Sequence, residues 1–218
     1  MYFASRLQAG RMLAAQLVPK YRYENCAVVA LNDGGVMVGA QLATQLHCVL
    51  MMVMSEQIEL PRENMPIGGI TSEGTFSYNQ QFSDGEISEL ESEYHGVIEQ
   101  EKLLHLHKMH ELLGSGGMVR RDLLRGHNVI LVADGLQNGF LLEMAAEFLK
   151  PIAMEKLIVA VPFASVSAVD RMHILADEIY CLNVIEDYIS TEHYYEAQDV
   201  PDHATVIKTI ENIVLHWK

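Results

Sequence analysis

Cysteine is scarce in this chain, with three in 218 residues, at Cys26, Cys48 and Cys181. An odd number at wide spacing argues against a disulfide framework or a thiolate metal site, and the apolar neighbours suit buried free thiols. Cations are also few: 15 Lys and Arg face 29 Asp and Glu, for a formal net charge of −14. A general nucleic-acid binder needs clustered cations to meet phosphates, so no nucleic-acid partner is expected. No apolar run approaches the roughly 18–20 residues that span a membrane, and the longest, residues 49–54, is one strand long. Arg6, Gln8 and Arg11 break up the N-terminal segment too early for a secretory signal. The expectation is a cytoplasmic protein with no membrane partner. There is no internal repeat and no low-complexity tail.

What the chain does have is a core. Half its residues are hydrophobic, and the length suits one α/β domain over residues 1–218, with residues 185–218 as a C-terminal hood or packing segment. Helical spacing covers residues 5–17, with Pro19 just beyond. Residues 26–31 form a buried strand, Asn32, Asp33, Gly34 and Gly35 a turn, and residues 36–46 a helix. A second strand spans 49–54. Residues 55–85 read as loop, with short strands near 69–70 and 75–78. Residues 87–113 form a long helix, which Gly114, Ser115, Gly116 and Gly117 end. Strands at 128–132, 156–161 and 178–182 then alternate with helices at 140–149 and 165–175. This alternation predicts a mostly parallel sheet flanked by helices, with residues 28–31, 128–132 and 158–161 as interior strands. Ligands bind such sheets outside the carboxyl ends of the strands. The loops at 32–35, 55–64, 133–139 and 162–165 are expected along that one edge.

The segment from Val129 to Phe140 carries the most information. An apolar strand enters the turn Asp134, Gly135, Leu136, Gln137, Asn138, Gly139, and the turn opens a helix. A helix start presents free N–H groups and partial positive charge, which suits a phosphate. This strand–loop–helix resembles the signature of type I phosphoribosyltransferases, in which acidic residues follow an apolar strand. Ala9-Gly10 with Leu13-Ala14 resembles the opening helix of that family, and residues 28–36 resemble its first strand and pyrophosphate loop. Residues 159–165 with Ala168-Val169 resemble a strand–helix of the predicted-phosphoribosyltransferase branch. Asp187-Tyr188 and Tyr194-Tyr195 resemble its C-terminal segment.

The resemblance implies a phosphoribosyltransferase-like, Rossmann-like fold, a site for phosphoribosyl pyrophosphate, and a homodimer. It also shows where this chain departs. The first of two carboxylates that hold the ribose is Ala133, and only Asp134 remains as a catalytic candidate. Asn138 and Leu141 stand where threonines would donate to the 5-phosphate. The pyrophosphate loop reads Asp33, Gly34, Gly35 in place of Arg-Gly-Gly. Ser55 and Glu56 stand where the branch has Arg-Lys. A charge pair about 4 Å apart near a surface is worth roughly 4 kcal/mol before screening, and Arg to Asp reverses its sign. Each lost charge-assisted hydrogen bond removes roughly 1.5–3 kcal/mol more. If phosphoribosyl pyrophosphate binds at all, Mg2+ bridging Asp33 or Asp134 would relieve part of the repulsion.

Tyr188, Tyr194 and Tyr195, beside His193, form a candidate aromatic hood, with plain core packing as the alternative. His105, His107 and His110 lie on the long helix, where a solvated face is favoured over a metal site. Val97, Leu104 and Leu112 form an apolar stripe suited to a second copy. Three functions stay open: a non-catalytic module with a damaged site, binding a phosphorylated small molecule or nucleotide; an active transferase with an unusual site; and an oligomeric scaffold without a small ligand.

Overall fold

A parallel sheet leaves two apolar faces to cover, and this chain covers both. The computed structural model describes residues 2–61, 63, 65–113 and 119–213. Strands β1 (Cys26–Ala30), β2 (Val49–Met52), β6 (Asn128–Val132), β7 (Lys156–Ser165) and β8 (Glu178–Ile185) form one sheet in the order β2-β1-β6-β7-β8. Every pairing in it is parallel. The three expected interior strands are β1, β6 and β7, and all three are interior.

Alternation along each strand divides the core. Val28, Ala30, Ile130, Val132, Ile158 and Ala160 face one layer. That layer also holds residues of α1 (Arg6–Tyr21), α2 (Asp33–Leu46) and α6 (His203–Glu211). Val29, Leu131 and Val159 face the other layer, with residues of α4 (Phe140–Leu149) and α5 (Val166–Leu175). The thiols of Cys26 and Cys48 are buried, Cys181 is half-buried, and all three are free.

Several boundaries differ from the sequence expectation. Helix α1 runs through Pro19 to Tyr21. Pro19 forfeits one helical hydrogen bond, and burial of Tyr21 in the core by the extra turn offsets it. Asp33, Gly34 and Gly35 belong to the first turn of α2, because the Asn32 side chain caps the Gly35 N–H at 2.7 Å. Residues 162–165 continue β7, since β8 keeps pairing with them and Leu136 bridges Ala164.

The segment read as loop forms a second, antiparallel sheet of β3 (Ser55–Ile58), β4 (Gly68–Thr71) and β5 (Phe76–Tyr78) in that order. Ile58, Leu60, Ile67 and Ile98 give it an apolar core against α3 (Asp84–Leu113). Helix α3 starts three residues earlier than expected, where Ser83 and Glu86 exchange capping bonds, and leaves helical geometry at Tyr94. The terminator proposed at Gly114–Gly117 lies outside the described residues. Val97, Leu104 and Leu112 stay exposed in the single chain. No described helix is long and apolar enough to cross a membrane.

Two stability predictions follow from this packing. Ile130→Ala removes a fully buried side chain from an interior strand and should cost about 2–5 kcal/mol. Ile174→Ala on exposed α5 should stay within about 0.5 kcal/mol. Urea unfolding of both variants measures the difference. At the start of β8, Lys20 donates to both Glu178 oxygens at 2.6 Å and Lys156 to one at 2.9 Å. Lys20 foremost holds the Glu178 carboxyl down at about 2, below the ordinary carboxylate range. A depressed folded-state value adds stability that is complete above the unfolded value and is lost as pH falls toward 2. Glu178→Gln should therefore lower stability near neutral pH, where that contribution is complete, and flatten the acid limb of the stability–pH curve.

Candidate functional site

The carboxyl ends of β1, β2 and β6 open onto a cavity of about 420 Å3. Asn32, Asp33 and Gly34 line it, with Ser55, Glu56 and Asp134. Residues from three of the four loops expected at one edge therefore meet there, with Asp33 and Gly34 in the first turn of α2 and Ser55 and Glu56 in β3, while the fourth continues β7.

Asp134 follows β6 and is 3% exposed. Its Oδ2 accepts from Arg6 Nε at 2.7 Å, and its Oδ1 accepts from Asn32 Nδ2 at 2.7 Å. Tyr195 Oη donates to its carbonyl at 2.6 Å. Burial raises the Asp134 carboxyl above its ordinary value, against the pull of Arg6 and Asn32. The guanidinium does not deprotonate, so the ionised carboxylate is the form that satisfies both N–H donors. Asn32 serves both sides, with its amide on Asp134 and its carbonyl capping α2.

Arg6 is 1% exposed and sits at the start of α1. Besides Asp134 it holds Asp199, through Nη1 at 3.0 Å and through its backbone N–H at 2.9 Å. Its guanidinium lies 4.3 Å over the Tyr195 ring. Burial works against the charge, but Asp134 and Asp199 keep the guanidinium above its ordinary value. Gly34 is needed beside this pair, because a side chain there would overlap the Asp134 carboxylate.

The remaining site residues fall into three groups. Asp33 Oδ1 lies 3.0 Å from His203 Nδ1, so the pyrophosphate-loop equivalent is joined to α6. The Leu136 N–H donates to Phe163, and Ser165 donates back to Leu136, which stitches residues 134–139 onto β7. Asn138 Oδ1 accepts the Phe140 N–H at 3.1 Å, Gln137 is exposed, and the Arg171 side chain covers Gly139. Arg171 is itself paired with Glu143 at 2.9 Å. Ala133 packs in the apolar layer that α4 shares.

Tyr188, Tyr194 and Tyr195 gather on Phe163, and Phe3 joins the cluster through a bridge to Tyr195. Tyr188 Oη lies against Gly135 and bonds Thr191 at 2.9 Å. Burial pushes the Tyr188 phenol up to about 12 and that of Tyr195 higher still, helped by the Asp134 charge, so both remain donors. These rings cover residues 134–135 from above and also pack as a core.

Of the helix histidines, His105 lies 3.4 Å from Glu101, His107 lies 3.3 Å from Glu111, and His110 meets the Ser72 carbonyl at 2.8 Å. Asp134 does not fit Mg2+, because both its oxygens accept N–H donors, one of them from a fixed cation. Among the described residues no group of three His, Cys, Asp or Glu side chains has metal-binding geometry. Sequence reasoning gave no role to Arg6, Asp199 or His203. Nothing in their local pattern joins them to positions 128, 193 and 170 residues away.

The sequence profile described as phosphoribosyl transferase domain matches residues 3–201. A protein of Mycobacterium tuberculosis H37Rv, provisionally named a phosphoribosyl transferase, is 26% identical over 181 residues, or 83% of this chain. The chain spans about 40% of the length of that curated relative. The crystal structure of TT1426 from Thermus thermophilus superposes with a TM-score of 0.70 at 24% identity, covering 100% of this chain and 99% of that one. A hypothetical protein from Neisseria gonorrhoeae, solved with bound ppGpp, superposes with a TM-score of 0.50 at 12% identity over 95% of each chain.

The buried pair makes a quantitative prediction. Arg6→Met leaves Asp134 charged and buried with only the Asn32 amide, and should cost about 3–5 kcal/mol. Adding Asp134→Leu to that variant should recover part of the loss, because the buried charge is gone and the partly exposed Asp199 keeps the backbone N–H of position 6. Urea unfolding of the wild type, both single variants and the double variant gives the coupling. A loss below about 1 kcal/mol for Arg6→Met would show that the pair does not hold the fold.

Proposed function

Because the chain belongs to the phosphoribosyl transferase domain family, we propose that it is a phosphoribosyltransferase-fold binding module whose phosphoribosyl pyrophosphate site no longer supports transfer. One observation carries this reading. Asp134, the single carboxylate left where the family holds ribose hydroxyls, is sealed between Arg6 and Asn32. A ribose would have to displace a buried guanidinium to reach it.

Other features support the same reading. Transfer depends on orienting the ribose and stabilising the departing pyrophosphate. Asp33 puts a negative charge on the pyrophosphate side of the cavity, and its histidine partner is already engaged. At the start of α4, the Leu136 and Phe140 N–H groups have internal acceptors. This leaves fewer donors for the phosphorylated ligand expected at residues 134–139.

The second reading, an active transferase with an unusual site, is favoured by the cavity itself, which lies at the ligand edge of the sheet. Calorimetry with phosphoribosyl pyrophosphate and Mg2+, paired with a pyrophosphate-release assay over the common nucleobases, separates the two. The expected result is affinity weaker than micromolar and no release. Asp33→Arg combined with Asn138→Thr should then tighten binding, since it restores a cation and a hydroxyl donor. Micromolar binding by the unmodified protein together with base-dependent release would sink the non-catalytic reading.

A further inference from the structure

The cavity at the ends of β1, β2 and β6 has a charge arrangement that selects among ligands. Two cationic side chains and a histidine line it, and each already has an acidic partner. Arg6 is held by Asp134 and Asp199 at 2.7 and 3.0 Å. Lys108 lies 3.3 Å from Glu56. His203 lies 3.0 Å from Asp33. A fourth lining carboxylate, Glu192, comes from the C-terminal segment. The polar rim is therefore acceptor-rich, because carboxylates take O–H and N–H donors and offer none when ionised. A phosphate brought here meets carboxylates first and finds its natural partners engaged.

The other wall is apolar and sulfur-bearing. Leu31, Met52 and Met54 line the cavity and are all less than 10% exposed. Thioether and aliphatic surface of this kind accommodates the face of a flat ring. His203 also lines the cavity, with its Nδ1 on Asp33. The volume of about 420 Å3 lies within the range of small-molecule sites.

We propose that this cavity binds an uncharged molecule made of a flat ring and a hydroxyl-bearing portion, the chemistry of an unphosphorylated nucleoside. The ring lies on Met52 and Met54, and the hydroxyls donate to Asp33 and Glu192. This deepens the binding-module reading and rests on it, since a site that handled phosphoribosyl pyrophosphate would be built around free cations.

The test is calorimetry of the full chain against adenosine, guanosine, cytidine and uridine, each compared with its own 5′-monophosphate at one fixed ionic strength. At least one nucleoside should bind, and its monophosphate should bind about tenfold or more weakly, a difference of ~1.4 kcal/mol. Glu192→Lys replaces an exposed side chain, so folding is preserved, and it should shrink that ratio from both sides, weakening the nucleoside that loses an acceptor and tightening the monophosphate that gains a cation. Three results would overturn the proposal: no nucleoside binds, a monophosphate matches or exceeds its nucleoside, or the ratio is unmoved in Glu192→Lys. The two readings fail separately. Base-dependent pyrophosphate release counts against the non-catalytic module whatever the nucleosides do. A tight monophosphate without any release counts against the charge argument alone.

Discussion

A guanidinium buried between two carboxylates organises the ligand edge of this molecule. Arg6 is out of water, so its charge must be met by groups that are also held in place. Asp134 meets it from the end of β6 and Asp199 from the C-terminal segment. Tyr195 completes the enclosure with a ring face for the cation and a hydroxyl for the Asp134 carbonyl. The start of α1, the loop after β6 and the segment before α6 therefore have to arrive together. An ion pair this dry adds little net stability over apolar packing, but misplacing any member strands a charge. Its effect is to tie both ends of the chain to the centre of the sheet.

That constraint shapes the site. The carboxylate that follows β6 is used internally, accepting from Arg6 and Asn32. Gly34 permits the close approach, since any side chain there would enter the ion pair. Asn138 takes the Phe140 N–H at the start of α4, and β7 takes the Leu136 N–H in the loop before it. What stays open is the neighbouring volume, roofed by the C-terminal segment and walled by Met52 and Met54. The result is an acceptor-rich pocket beside the ion pair.

Much of the fold was legible in the residues themselves. Runs such as Val129 to Val132 are apolar at every position, which only a doubly covered strand tolerates. Helix α4 was legible end to end because Gly139 and Lys150 bound an uninterrupted amphipathic stretch. The antiparallel β3 strand was missed for a physical reason. Ser55, Glu56 and Gln57 show half-exposed polar faces, and the strand is defined by its register with β4 rather than by its own burial. The start of α2 was misplaced because three residues that read as a turn are also compatible with a helix once Asn32 caps them.

The sequence by itself determined the alternation of strands and helices and the acidic balance. Those properties are local, carried by spacing and composition. Tertiary structure alone decided what the retained residues do. Asp134 reads as a ligand-facing carboxylate until Arg6, 128 positions away, is brought to 2.7 Å. Asp33 reads as a bare repulsive charge until His203 arrives from α6. The partner of a buried charge is chosen by the packing of distant segments, and no local pattern carries that information.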